Sequence, residues 1–373
     1  MAFQAHAIID SPAPLVAALK DAGWKVIAPV ERDGALVLAA IQSAEELPRG
    51  RVDRASPGEV RIEDGRPGRW FDHTLPASGW KRWLHPPRHL LWRANRGRDG
   101  FELKTPPPET EDLAFLGIRP CDLAAIARLD AVLGPDGSAD TEYMRRRRHM
   151  LSVVVQCARA ADTCFCTGPG TGPRAEHGFD LALTELEIGL LVEVGSERGA
   201  GILERLPSRE ARETDIEEAH AISRKTAGMQ RRRLPPSAAA AIAQAPDHPE
   251  WDQLAARCLA CGNCTLVCPT CFCTDVEDTT DLSGDHAERW QVWDSCFATG
   301  FSFVHEGPVR TSVRSRYRQW LTHKLATWYD QYGTSGCIGC GRCIAWCPVG
   351  IDLTAAAEAI ARPASPSPAP TGG

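Results

Sequence analysis

Two copies of one cysteine pattern constrain this chain more than any other feature. CLACGNCTLVCP carries Cys258, Cys261, Cys264 and Cys268, and CIGCGRCIAWCP carries Cys337, Cys340, Cys343 and Cys347. Both read C-x2-C-x2-C-x3-C-P, the run whose fourth cysteine ligates the other of two iron–sulfur clusters. Three thiolates on one tight loop can cap three irons of a cube, and Gly262, Gly339 and Gly341 let the loop bend around it. The fourth cysteine lies further along, points away, and is followed by a proline that stops a regular hydrogen-bonded run. One cube is therefore expected on Cys258, Cys261, Cys264 and Cys347, the other on Cys337, Cys340, Cys343 and Cys268. Structural zinc is the competing use, but zinc sites are built from C-x2-4-C pairs, not from a triple with a remote fourth ligand.

The rest of the cysteine inventory agrees with bound metal. The 373-residue chain has 15 cysteines and none before Cys121. Disulfide scaffolds belong to short secreted chains, and an odd count suits full pairing poorly. A net charge of −6 argues against a broad nucleic-acid surface. MAFQAHAIIDSPAP has no basic segment followed by an apolar core, and no apolar run approaches the roughly 20 residues of a membrane span. The expectation is a soluble, cytoplasmic protein with no membrane span.

Residues 1–245 read as an α/β domain, residues 246–360 as a mainly α-helical dicluster ferredoxin-like domain, and residues 361–373 as a disordered tail. PAPLVAALKDAG (12–23) has helical spacing ending at Gly23; KVIAPV (25–30), ALVLAAI (35–41), LAFLGI (113–118), LSVVVQ (151–156) and GLLVEV (189–194) read as buried strands. CDLAAIARLDAVL (121–133) follows the strand 113–118 as a helix, and the alternation predicts a partly parallel sheet. The charged stretch 205–233 predicts a solvated helix, and PPSAAAAIAQAPDHP (235–249) a linker. Beyond it, Tyr317, Leu321, Leu325, Trp328 and Tyr332 fall at helical spacing, a stripe for the core or a wall beside a cluster.

A second cysteine group belongs to the N-terminal domain. Cys121 and Cys157 each follow a strand, and Cys164 and Cys166 lie just beyond, so all four can share one sheet edge. Such a set suits a third four-iron cluster, and the helix start after Cys121 favours a thiolate. The alternative is buried cysteine acting as a small hydrophobe. TGPGTGP (167–173) lacks the Lys–Ser/Thr end of a phosphate loop and does not match G-x-G-x-x-G; it reads as a tight loop, with a flavin or nucleotide phosphate as the other use. Cys271, Cys273 and Cys296 are left over; they can pack, line a cluster pocket or replace an assigned ligand. RRRR (145–148) reads as a solvated face, or as a docking patch for an acidic partner.

GIRPCDLAAI, TCFCTGPGTGP, CLACGNCTLVCPTCFCTDVED, WDSC and CIGCGRCIAWCPVGID occur in this order. Together they resemble the family that holds the beta subunit of soluble sulfhydrogenases, which are NAD(P)-linked nickel–iron hydrogenases, and the corresponding iron–sulfur subunit of anaerobic sulfite reductase. The resemblance runs from about KRWLHPPRHLLW to residue 360 and strengthens the third cluster on Cys121, Cys157, Cys164 and Cys166. The beta subunit of deazaflavin-reducing hydrogenases is a more distant relative of the N-terminal domain; it binds flavin (FAD), for which this sequence shows no clear motif. The resemblance implies a non-catalytic electron-transfer subunit. Its expected partners are a flavoprotein NAD(P)-binding subunit together with the small and large subunits of a hydrogenase, or a sulfite reductase catalytic subunit. A self-contained flavin oxidoreductase and an iron–sulfur redox sensor are the competing classes.

Overall fold

A computed structural model describes residues 5–74, 76–107, 111–134 and 140–362. The chain opens with β1 (His6–Ile9), β2 (Lys25–Arg32) and β3 (Ala35–Ala40), then the hairpins β4 (Arg51–Ser56)–β5 (Glu59–Asp64) and β6 (Arg88–Gly97)–β7 (Gly100–Lys104). Next come β8 (Leu113–Ile118), β9 (Met150–Val155), β10 (Leu181–Leu186), β11 (Gly189–Val194) and the short β12 (Arg209–Glu210). Eight of these form one sheet in the order β12-β1-β11-β10-β9-β8-β2-β3. Its middle four strands, β10, β9, β8 and β2, run parallel, and the flanking pairs are antiparallel.

The apolar run of β8, and that of β9 broken only by Ser152, follow from burial on both faces. Ala114, Leu116, Leu151, Val153 and Val155 point to one core, which the helix Ala13–Asp21 covers through Leu15 and Leu19. Leu113, Phe115, Ile118, Met150 and Val154 point to the opposite core, filled by Ile126 and Leu129 of the helix Pro120–Leu133. Cys121 and Cys157 therefore emerge beside each other, at the carboxyl ends of two adjacent parallel strands. That is where open α/β sheets place their ligand sites.

Three charged or proline-rich segments differ from their sequence expectations. The helix Glu213–Gly228 is not wholly solvated: Ala219 is buried and packs with Ile8, Leu186 and Leu191. The expected linker contains a helix, Ala238–Gln244, whose Ala238 and Ile242 enter the C-terminal core. In the arginine run, Arg145, Arg146 and Arg147 are half-buried, and Glu142 and Asp130 pair with them.

The C-terminal region is helical only in part. Helices Glu250–Arg257, Val313–Thr322 and Leu353–Ala361 enclose Trp251, Tyr317, Trp320, Leu321 and Ile360. The aromatic stripe continues through a π-helical turn, His323–Thr327, and buries Leu325 and Trp328, while Tyr332 is 37% exposed. The insert between the cysteine motifs, expected to be helical, holds β13 (Thr274–Thr280) and β14 (His286–Trp293). They complete a second sheet, β13-β14-β6-β7, so hairpins from the two halves of the chain share one ladder. Its outer positions carry ion pairs, Arg289–Asp278 and Arg93–Glu288, in place of the apolar alternation that marks a half-buried strand. The last helix runs one residue into the expected tail, and the proline-rich stretch 363–373 lies outside the described residues.

A buried ion pair locks the two halves. Arg342 of the second motif meets Asp122, next to Cys121, at 2.6 Å, and each side chain is 2% exposed. The guanidinium makes both fork bonds to the carboxylate, and its Nε donates to the Pro76 carbonyl. Replacing one member of such a pair strands the other charge. Asp122→Asn is expected to lower unfolding stability by about 3–5 kcal/mol in anaerobic urea titrations; a loss below about 1 kcal/mol, the range of surface pairs, would count against the lock.

Candidate iron–sulfur centre

The two motifs fold alike. In each, the residue before the second cysteine has positive φ (Ala260 +50°, Gly339 +66°), as does the glycine after it (Gly262 +73°, Gly341 +76°). A one-turn helix then begins, Asn263–Leu266 in the first and Arg342–Ala345 in the second. Matching amides reach sulfur, Ala260 N–H to Cys258 Sγ and Gly339 N–H to Cys337 Sγ, both at 3.4 Å. Glycine is needed at 339 and 341 for a further reason. A Cβ would lie 2.6 Å from the Cys166 Cα at 339 and 2.2 Å from the Thr163 carbonyl at 341. The second motif thus presses backbone to backbone against the loop that carries Cys164 and Cys166. Phe165 N–H donates to the Gly339 carbonyl and Thr171 Oγ1 to that of Ile338.

The structure gathers the cysteines in three neighbouring groups. Cys258, Cys261, Cys264 and Cys347 line one narrow apolar pocket with Phe297, Tyr317 and Trp320, and Cys343 of the second motif lines it too. Cys268 is drawn to the second motif: its charge is felt at Cys337, Cys340 and Cys343. Cys157 and Cys166 act on their neighbours in this group, Cys340 acts on Cys121, Cys164 and Cys166, and Cys121, Cys166, Ile338 and Cys340 pack as one buried cluster. The N-terminal group is thus next to the second motif, and the second motif is next to the first. Among the described residues no three Cys, His, Asp or Glu side chains converge to the spacing of a single-ion site.

Electrostatics favour a cationic core over protons. Burial, reinforced by neighbouring thiols, pushes Cys166 and Cys337 up to about 12 and raises Cys121, Cys264, Cys340 and Cys343 as well. Such thiols lose their protons readily only to a metal. Cys268 is the exception, held well below its ordinary value by a hydrogen bond from Cys271, with Lys324 and Thr270 assisting against burial. Lys324 Nζ lies 3.2 Å from Cys268 Sγ. Burial opposes its charge, but Cys268, Cys271 and Cys337 hold the ammonium well above its ordinary value. Gln230 Nε2 donates to Cys166 Sγ at 3.1 Å. Lys324 and Gln230 were invisible as site residues in the sequence because each reaches its cysteine across a long stretch of chain, and the Arg342–Asp122 pair because its two members stand 220 positions apart.

The 4Fe-4S dicluster domain family matches residues 257–351, which enclose both motifs. The sulfhydrogenase 2 subunit beta of Pyrococcus furiosus is 34% identical over 245 residues, spanning 64% of this chain and 71% of that protein. This chain belongs to the family of 4Fe-4S dicluster electron-transfer subunits in which that beta subunit falls. It is an iron–sulfur protein of the hydrogenase-subunit type, and no helix among its described residues is long and apolar enough to cross a membrane.

Gly341→Ala tests the close approach. It combines a left-handed φ with overpacking, so a loss of about 2–4 kcal/mol and a lowered iron content are expected by urea titration and iron assay. Gly284→Ala, at φ +74° in open space, carries the conformational cost alone and should leave iron unchanged.

Proposed function

We propose that this chain is the electron relay of a soluble multi-subunit hydrogenase. It would pass electrons between a flavoprotein partner linked to NAD(P)H and the nickel–iron catalytic module, without substrate chemistry of its own. The observation that carries this reading is the succession of cysteine groups, each beside the next, from the sheet edge to the C-terminal core. Cys121, Cys157, Cys164 and Cys166 would hold one cube; Cys337, Cys340, Cys343 and Cys268 the second; Cys258, Cys261, Cys264 and Cys347 the third. When bound, each cube carries one electron at a time, at a potential set by burial and by hydrogen bonds to sulfur.

The protein's own groups would set position and charge. The lent cysteines, Cys268 and Cys347, tie the motifs together, and the Arg342–Asp122 pair fixes the second motif against the N-terminal group. Lys324 and Gln230 place donors on sulfur, and Phe297, Tyr317 and Trp320 give the first motif's pocket an apolar wall on one side. The likeness to a sulfhydrogenase beta subunit supports the hydrogenase over the sulfite reductase assignment.

Anaerobic affinity purification from the native host tests the proposal. A flavoprotein and a nickel–iron large subunit should co-enrich; a siroheme reductase in their place would overturn the hydrogenase assignment. In the same preparation, Cys157→Ala should carry about four irons fewer per chain than the parent. An unchanged iron content would remove the N-terminal cube.

Lys324→Met removes a positive charge from Cys268, so added negative charge is stabilised less. The neighbouring cluster should become harder to reduce, its midpoint falling by tens of millivolts in an EPR-monitored redox titration. A midpoint that stays put or rises would contradict the role given to Lys324.

A further inference from the structure

Three cysteines have no place in this succession, and the fold brings them to one cavity. Cys271 and Cys273 leave the first motif just before β13, and Cys296 follows β14. The strands pair Thr274 with Trp293, and Asp294 N–H donates to the Cys273 carbonyl at 2.9 Å, so both ends of the hairpin arrive together. Cys271, Cys273 and Cys296 line a cavity of about 240 Å³ with Asp294 and Lys324. All three thiols are free, and burial first of all raises Cys273 and Cys296, the latter to about 12. The cavity lies between groups already described. Cys271 hydrogen-bonds Cys268 of the second set, and Cys296 acts on Cys264 of the first.

The cations around the cavity call for negative charge. Lys81 and Lys324 are each 5% exposed. Lys81 Nζ donates to the Cys271 carbonyl at 2.9 Å and sits 3.7 Å from the Trp293 ring centroid. Neither lysine has a carboxylate at ion-pair distance among the described residues; the charges that act on both are Cys268 and Cys271. Burial draws Lys81 below its ordinary value while Cys271 and Cys268 oppose that shift, so further anionic sulfur in this cavity would favour its charged form.

We propose that Cys271, Cys273 and Cys296 hold a further iron–sulfur cube, with Asp294, the carboxylate lining the cavity, on the fourth iron. Each thiol gives its proton to solvent as it binds iron, and Lys81 and Lys324 balance the charge of the anionic assembly.

The test is made on the full chain, purified without oxygen and assayed for iron, acid-labile sulfide and zinc. Cys273→Ala/Cys296→Ala should lose about four irons and four sulfides per chain relative to the parent. Cys258→Ala is measured in parallel. If it loses about four irons while the double variant loses none, the dicluster reading stands and the fourth cube is overturned. Native mass spectrometry of the unmodified chain gives a readout that does not depend on the variants' folding. Its cluster complement should exceed that held by the other three cysteine groups by one cube. No such excess, or zinc lost from the double variant in place of iron and sulfide, overturns the proposal.

Discussion

The tightest constraint in this molecule is the contact between two loops that leaves no room for a side chain. Gly339 and Gly341 lie against the backbone of Thr163–Cys166, and Arg342, the next residue, reaches through to Asp122. Steric fit and a buried charge pair therefore act on neighbouring residues and in the same direction. They bring the carboxyl ends of two parallel strands, and the cysteines that follow them, against the second motif. Without that contact the N-terminal group would be an isolated cluster of thiols, and the succession of cysteine groups would be cut in two.

Around this contact the protein places fixed cations where sulfur is buried. Arg342 acts on Cys340, Arg119 on Cys157, and Lys324 on Cys268. Each cation costs free energy to bury; Asp122 offsets that cost for Arg342, backbone carbonyls take the Arg119 donors, and Lys324 has Cys268 Sγ and Thr270 Oγ1. The result is a site whose charges are organised before any metal arrives. The same cations lower the cost of each further electron once it does.

How much of this could be read from the sequence follows from which forces act locally. LAFLGI is a strand with the limits read from the sequence, because a doubly buried parallel strand must be continuously apolar; GLLVEV keeps its limits too, in an antiparallel ladder where Glu193 is paired with Arg174. The glycines of the cysteine motifs were legible because their spacing leaves the backbone one way around. The hairpin β13–β14 was not, since TDVEDTT is polar on both faces and holds its ladder through cross-strand ion pairs and backbone bonds. Nor was the helix Ala238–Gln244, where alanines bury themselves behind two prolines that read as a break. The partners of sulfur were hidden for a different reason. A lysine 56 positions from its cysteine leaves no trace in local pattern.

The second sheet also sets an order of events in the making of the protein. β6 and β7 leave the ribosome long before β13 and β14, yet they form a single ladder. Until the later hairpin is synthesised, β6 waits with an open edge, a position from which strands pair with the wrong neighbour. Arginines at positions 88, 93 and 96 stand along that waiting strand and make it a poor template for an apolar intruder. Pairings this distant close slowly, so the chain spends its early life with this region unfinished. The hairpin that closes the ladder also carries Cys273 and Cys296 at its two ends, so that cavity cannot form until this hairpin is made.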